Sequence, residues 1–233
     1  MLVLFDIDGT ILKSERAGAL AMIEAGKRLV GPHFSFDGVE ISGRLDPLIW
    51  RDAASAAGVA DPDGGQAAFR ALYAEILAER LRTNPTAKLL PGVREIVDMI
   101  ETQEIAKLGV LTGNYRETGR IKITSAGLDP DRFIIEAWGD EAPTRPQLVP
   151  VAQRRHEEKI GLAINGERIV IIGDTVHDID CARANGCRVI AVGTGGASMD
   201  DLAAREPDLL LDDLSAAHEI VRWIFNGVPI STS

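Results

Sequence analysis

Leu2-Val3-Leu4-Phe5-Asp6-Ile7-Asp8-Gly9-Thr10 is the stretch on which the fold turns. Four apolar residues in a row predict a short strand buried on both faces. Two carboxylates follow at i and i+2, and Gly9 allows the chain to turn sharply beside the Thr10 hydroxyl. Two acids at the end of a buried strand repel each other and lose hydration. A hard divalent cation is the natural compensation.

Two later stretches repeat the pattern. Lys107-Leu108-Gly109-Val110-Leu111 reads as a strand ending in Thr112-Gly113-Asn114. Arg168-Ile169-Val170-Ile171-Ile172 reads as another, ending in Gly173-Asp174-Thr175-Val176-His177-Asp178. Between and after them, helical periodicities alternate with short apolar runs at 133–137, 188–192 and 209–211. This βαβα succession predicts an α/β fold, a Rossmann-like parallel sheet with helices on both faces. Ligands of such sheets collect beyond the carboxyl ends of the strands, where all three polar endings would meet.

Residues 14–83 have a different texture. They are Ala-rich and carry no convincing strand. Ser14 is expected to cap a helix running to about Val30, and Asp46-Pro47 looks like an N-cap followed by proline at the first helical position. Phe69, Leu72, Tyr73, Ile76 and Leu77 trace one apolar helix face, which ends before Asn84-Pro85. The expected division is 1–13 and 84–233 as one core, with 14–83 inserted as an all-helical cap above the first aspartate pair. Hinges are expected near Leu12-Lys13-Ser14 and Asn84-Pro85.

Together these residues resemble the haloacid dehalogenase superfamily. Asp6 to Thr10 matches its D-x-D-G-T motif, Thr112 its second motif, and Gly173 to Asp178 its G-D-(S/T)-x-x-D motif. Its third motif is a lone basic residue, usually Lys before Pro; Arg145-Pro146 stands in a suitable place, with Lys122 as competitor. The nearer likeness is to phosphoglycolate phosphatase and β-phosphoglucomutase, whose insertion is a mobile helical cap. The resemblance implies Asp6 as nucleophile and Asp8 as general acid and base. It implies Mg²⁺ held by Asp6, the Asp8 carbonyl and Asp174, with Asp178 orienting a bound water. Thr112, the Gly113 N–H and Arg145 would bind the phosphoryl group. Lys122 is read as a surface residue. Arg44, in the polar turn Ser42-Gly43-Arg44-Leu45-Asp46, is the candidate for sensing a distal anionic group of the substrate.

The implied activity is Mg²⁺-dependent hydrolysis of a small phosphorylated metabolite through an aspartyl phosphate. A sugar-phosphate mutase of the β-phosphoglucomutase type is the alternative, and a phospho-aspartate signalling module a more distant one. Asp8 argues against a true dehalogenase, since a departing halide needs no proton. A net charge of −10 argues against nucleic acid or membrane surfaces as partners, and no apolar run approaches the roughly 20 residues of a span. Cys181 and Cys187 suggest small buried thiols of a reduced, cytoplasmic protein rather than a disulfide framework. His33, His156, His177 and His218 show no metal-ligand spacing. Gly193-Thr194-Gly195-Gly196 reads as a flexible turn. The sequence does not reveal an oligomeric state.

Overall fold

The computed structural model describes residues 1–102 and 106–226. Its main sheet holds β1 (Leu2–Phe5), β4 (Lys107–Leu111), β5 (Ile135–Ala137), β6 (Ile169–Gly173), β7 (Arg188–Val192) and β8 (Leu209–Leu211). Their order is β5-β4-β1-β6-β7-β8, and every pairing is parallel. The first strand is therefore central, flanked by the two strands whose endings carry the other motifs.

Side chains on a strand alternate between faces, and each sheet face has its own core. Val3 and Phe5 join Val170, Ile172 and the helices α4 (Val93–Thr102) and α9 (Ala217–Asn226) on one side. Leu2 and Leu4 join Ile169, Ile171 and the helices α6 (Leu148–Ile160) and α7 (Val176–Ala184) on the other. This explains why the strands are apolar without interruption rather than alternating.

Residues 14–83 form α1 (Ala17–Val30), α2 (Asp46–Ala56) and α3 (Pro62–Thr83), with no strand. They close on a third apolar cluster threaded by an aromatic stack. The ring centroids of Phe34–Trp50, Trp50–Phe69 and Phe69–Tyr73 lie 5.9, 4.3 and 5.9 Å apart. Such pairs contribute about 0.5–1.5 kcal/mol each beyond area burial. The neck is a two-stranded antiparallel ribbon, β2 (Leu12–Lys13) against β3 (Lys88–Leu89), too short to leave a periodic signal.

Two helix starts differ from expectation. Ser14 does not cap α1, because Glu15 and Arg16 intervene with φ of 47° and 66°, and the helix begins at Ala17. Asp46 lies inside the first turn of α2 rather than flanking it. Leu45 is the flanking residue, and the Asp46 carboxylate accepts instead from Tyr115 N at 3.0 Å, across to the sheet. A short helix, α8 (Met199–Ala203), was also not anticipated.

Candidate active site

The three strand endings meet. β1 delivers Asp6 and Asp8, β4 delivers Thr112 and β6 delivers Asp174, and their register sets the ends side by side. Asp178 follows from the first turn of α7, where it completes a capping box with Thr175. One of its oxygens accepts from Thr175 N at 3.0 Å and Thr175 Oγ1 at 2.7 Å, and the other from Arg145 Nη2 at 2.5 Å. Its oxygens are thus largely committed, and it holds Arg145 in place beside Asp6.

Asp6, Asp174 and Asp178 bring one oxygen each within 4.8 Å of one another. Burial pushes Asp6 up to about 6, with Arg145 opposing and the charges of Asp178 and Asp8 adding to the rise. Burial lifts Asp174 well above the ordinary carboxylate range, and the charges of Asp6 and Asp178 add to it. The acids are short of positive charge, which is the condition a divalent cation relieves. The surroundings are built closely around Asp174. Thr10 Oγ1 donates to it at 2.9 Å. A Cβ on Gly9 would come within 2.5 Å of its carboxylate, and one on Gly195 within 1.6 Å. The residues present therefore fit a divalent cation, the class of ion that the resemblance implies.

Arg145 is buried with its Nη2 3.2 Å from Asp6 Oδ2. Its Nη1 donates to Gly43 O at 3.0 Å, while its Nε is buried with no hydrogen-bond partner among the described residues. Thr112 hydrogen-bonds Asp6 and accepts from Asn114 Nδ2 at 2.8 Å.

Lys122 corrects the sequence reading. It is 4% exposed, not a surface residue, and its Nζ donates to Asp8 Oδ2 at 2.5 Å and Asn114 Oδ1 at 2.6 Å. Burial alone would strip its proton, but the charges of Asp8, Tyr73 and Asp46 outweigh that and hold its pKa above the ordinary lysine value. The signal was its helix face. On α5 (Arg116–Ser125) the buried positions are Thr118, Gly119, Lys122 and Ile123, so Lys122 lies one turn beyond two small residues facing inward. Asn114, which also donates to Asp8 Oδ2 at 3.0 Å, was overlooked because it sat just past the Thr112-Gly113 pair.

The segment before α2 joins the helical block to the end of β4. Asp46 N donates to Gly113 O at 2.7 Å, and a Cβ on Gly113 would fall 2.0 Å from Arg44 O. Arg44 lines the cavity above the site, with Nη1 2.7 Å from Asp52 Oδ2 and 3.4 Å from Glu40 O. The glycine run at 193–196, read as a mere turn, packs on the site: Thr194 Oγ1 donates to Gly9 O at 2.5 Å. His177 stands 3.5 Å from Glu40, apart from the acids.

The model of the haloacid dehalogenase-like hydrolases matches residues 3–192. A phosphoglycolate phosphatase of Chromobacterium violaceum is 26% identical over 228 residues, covering 94% of this chain and 96% of its own. A crystal structure of a predicted phosphoglycolate phosphatase from Haemophilus somnus superposes with a TM-score of 0.68 at 23% identity, over 94% of this chain and 96% of its own. A β-phosphoglucomutase from Clostridium difficile superposes with a TM-score of 0.72 at 12% identity, over 97% of each chain. The two superpositions bear on the fold. The match across four-fifths of the sequence, with a phosphatase relative aligned end to end, places the chain in the haloacid dehalogenase-like hydrolase family, as one of its phosphatases.

Proposed function

We propose that the chain is a Mg²⁺-dependent phosphomonoesterase acting on a small phosphorylated metabolite, with Asp6 as nucleophile. The observation that carries this reading is the meeting of Asp6, Asp174 and Asp178, with the buried Arg145 guanidinium set between Asp6 and Asp178. Asp6, Asp174 and the Asp8 carbonyl would hold Mg²⁺, which when bound offsets the charge between the phosphoryl group and the acids.

An oxygen of Asp6 attacks phosphorus, and the bond from phosphorus to the ester oxygen breaks. Asp8 transfers a proton to the departing oxygen as that bond breaks. Asp8 is suited to that position, since its side chain is 45% exposed toward the cavity yet held by Lys122 and Asn114. The Asp8 carboxylate then takes a proton from water as the water oxygen attacks the acyl phosphate, releasing inorganic phosphate and restoring Asp6. Thr112 and the Gly113 N–H would hold the phosphoryl oxygens.

Phosphate release from a panel of small phosphomonoesters tests the reading, run with Mg²⁺, with excess chelator, and in Asp174→Asn. Turnover should require the metal and fall by orders of magnitude in the variant; undiminished turnover in chelator would overturn it. Product analysis with a hexose 1-phosphate separates hydrolysis from the mutase alternative.

A further inference from the structure

The cavity above Asp6 holds about 430 Å³, at the lower end of the 300–1,000 Å³ of small-molecule sites and open to more than a phosphoryl group. The wall contributed by residues 14–83 carries an apolar patch of Ala19 and Met22 from α1, Phe36 and Ile41 from the following loop and Ile49 from α2, bordered by polar side chains such as Ser14, Ser42 and Arg44. Phe36 and Ile41 are only half-buried against the helical cluster, so each keeps free surface.

The cations nearest the acids are already paired. Arg145 faces Asp6 and Asp178, and Lys122 faces Asp8. The Arg44 charge is met by Asp52. Lys13 and Arg16 line the cavity only at its exposed neck, on either side of Glu15.

We infer that the alcohol released from the substrate has an apolar body, alkyl or aryl, seated on this patch. The inference rests on the phosphomonoesterase reading and names its substrate class. It departs from the substrate in the relative's name, since glycolate carries a carboxylate.

Two readouts separate the inference from the reading beneath it. The first is kcat/KM for methyl, n-propyl and n-butyl phosphate, whose leaving groups are nearly equally basic, beside 2-phosphoglycolate and glucose 1-phosphate. The second is calorimetric binding of methylphosphonate, n-butylphosphonate and phosphonoacetate to the Mg²⁺-loaded protein, which needs no turnover. Burial of three further methylenes should raise both quantities from methyl to butyl by roughly tenfold or more. Phosphonoacetate and 2-phosphoglycolate should gain nothing over the methyl compounds. Phe36→Ser and Ile41→Ser should each lower the butyl-to-methyl ratio. A flat alkyl series, or tighter binding of phosphonoacetate than of n-butylphosphonate, overturns the inference. Butylphosphonate ranking first while no ester is hydrolysed supports the apolar wall and overturns the phosphomonoesterase reading alone.

Discussion

Arg145 and Lys122 compete for one motif in the sequence, yet each serves a different aspartate in the structure. Arg145 pairs with Asp6 and Asp178, and Lys122 with Asp8. Arg145→Ala leaves two buried carboxylates without their cation, so turnover should fall by roughly 10²–10³ for every ester. Lys122→Met frees Asp8, whose proton matters only when the departing oxygen is basic. Its loss should therefore be about tenfold or more greater for n-butyl phosphate than for p-nitrophenyl phosphate. Equal losses on both esters would separate Lys122 from the leaving group. Gly195 offers a sharper test of the acid cluster. Its Cβ would lie 2.6 Å from Asp174 Cβ as well as 1.6 Å from Oδ2, so rotation of the carboxylate alone gives no relief. Gly195→Ala should weaken Mg²⁺ binding by about tenfold or more in calorimetry, since displaced ligand geometry costs affinity. Unchanged affinity would remove Asp174 from the ligand set.

At the scale of elements, the segment before α2 is fastened to the end of β4. Gly113 O accepts from Asp46 N, and Gly113 has no room for a side chain against Arg44 O, a backbone atom that cannot rotate aside. Gly113→Ala should push the helical block off the site. The expected result is lower kcat/KM on all esters together with faster proteolysis near the neck; unaltered proteolysis would mean the contact is yielding. Asp46 adds a pH dependence. Burial pushes its carboxyl up from 3.8 to about 7, against the pull of Lys122 and the Tyr115 N–H and with help from the charges of Asp8 and Asp140. The folded chain then binds more protons than the unfolded chain between those values. Stability from this group falls as pH rises from about 4 to 7 and levels off above. Asn can still accept from Tyr115 N without titrating. Asp46→Asn should therefore gain in Tm relative to the parent as pH rises from 5 to 8, by at least about 3 °C. A constant difference in Tm across that range would contradict the assignment.

Across the whole molecule, the sheet was legible because its strands are buried on both faces and so appear as unbroken apolar runs. The acids were legible because their spacing has few structural uses. The ribbon of Leu12–Lys13 and Lys88–Leu89 left no pattern, being two residues long on each side. Lys122 escapes a local reading because a charged residue on a helix is usually solvated, and Asp46 because Asp before Pro usually caps a helix. What reverses both here is contact across the fold, Lys122 with Asp8 and Asp46 with Tyr115, which joins residues 114 and 69 positions apart and has no local trace. The central claim is that Asp6 becomes phosphorylated during turnover. Mg²⁺-loaded protein and an n-butyl phosphate substrate can be mixed, quenched in acid within a turnover, reduced with borohydride and mapped by mass spectrometry. The expected result is conversion of Asp6 to homoserine, absent without Mg²⁺, together with loss of turnover by several powers of ten in Asp6→Asn. Phosphate release with Asp6 unmodified throughout, or an Asp6→Asn protein within about tenfold of the parent, would contradict it.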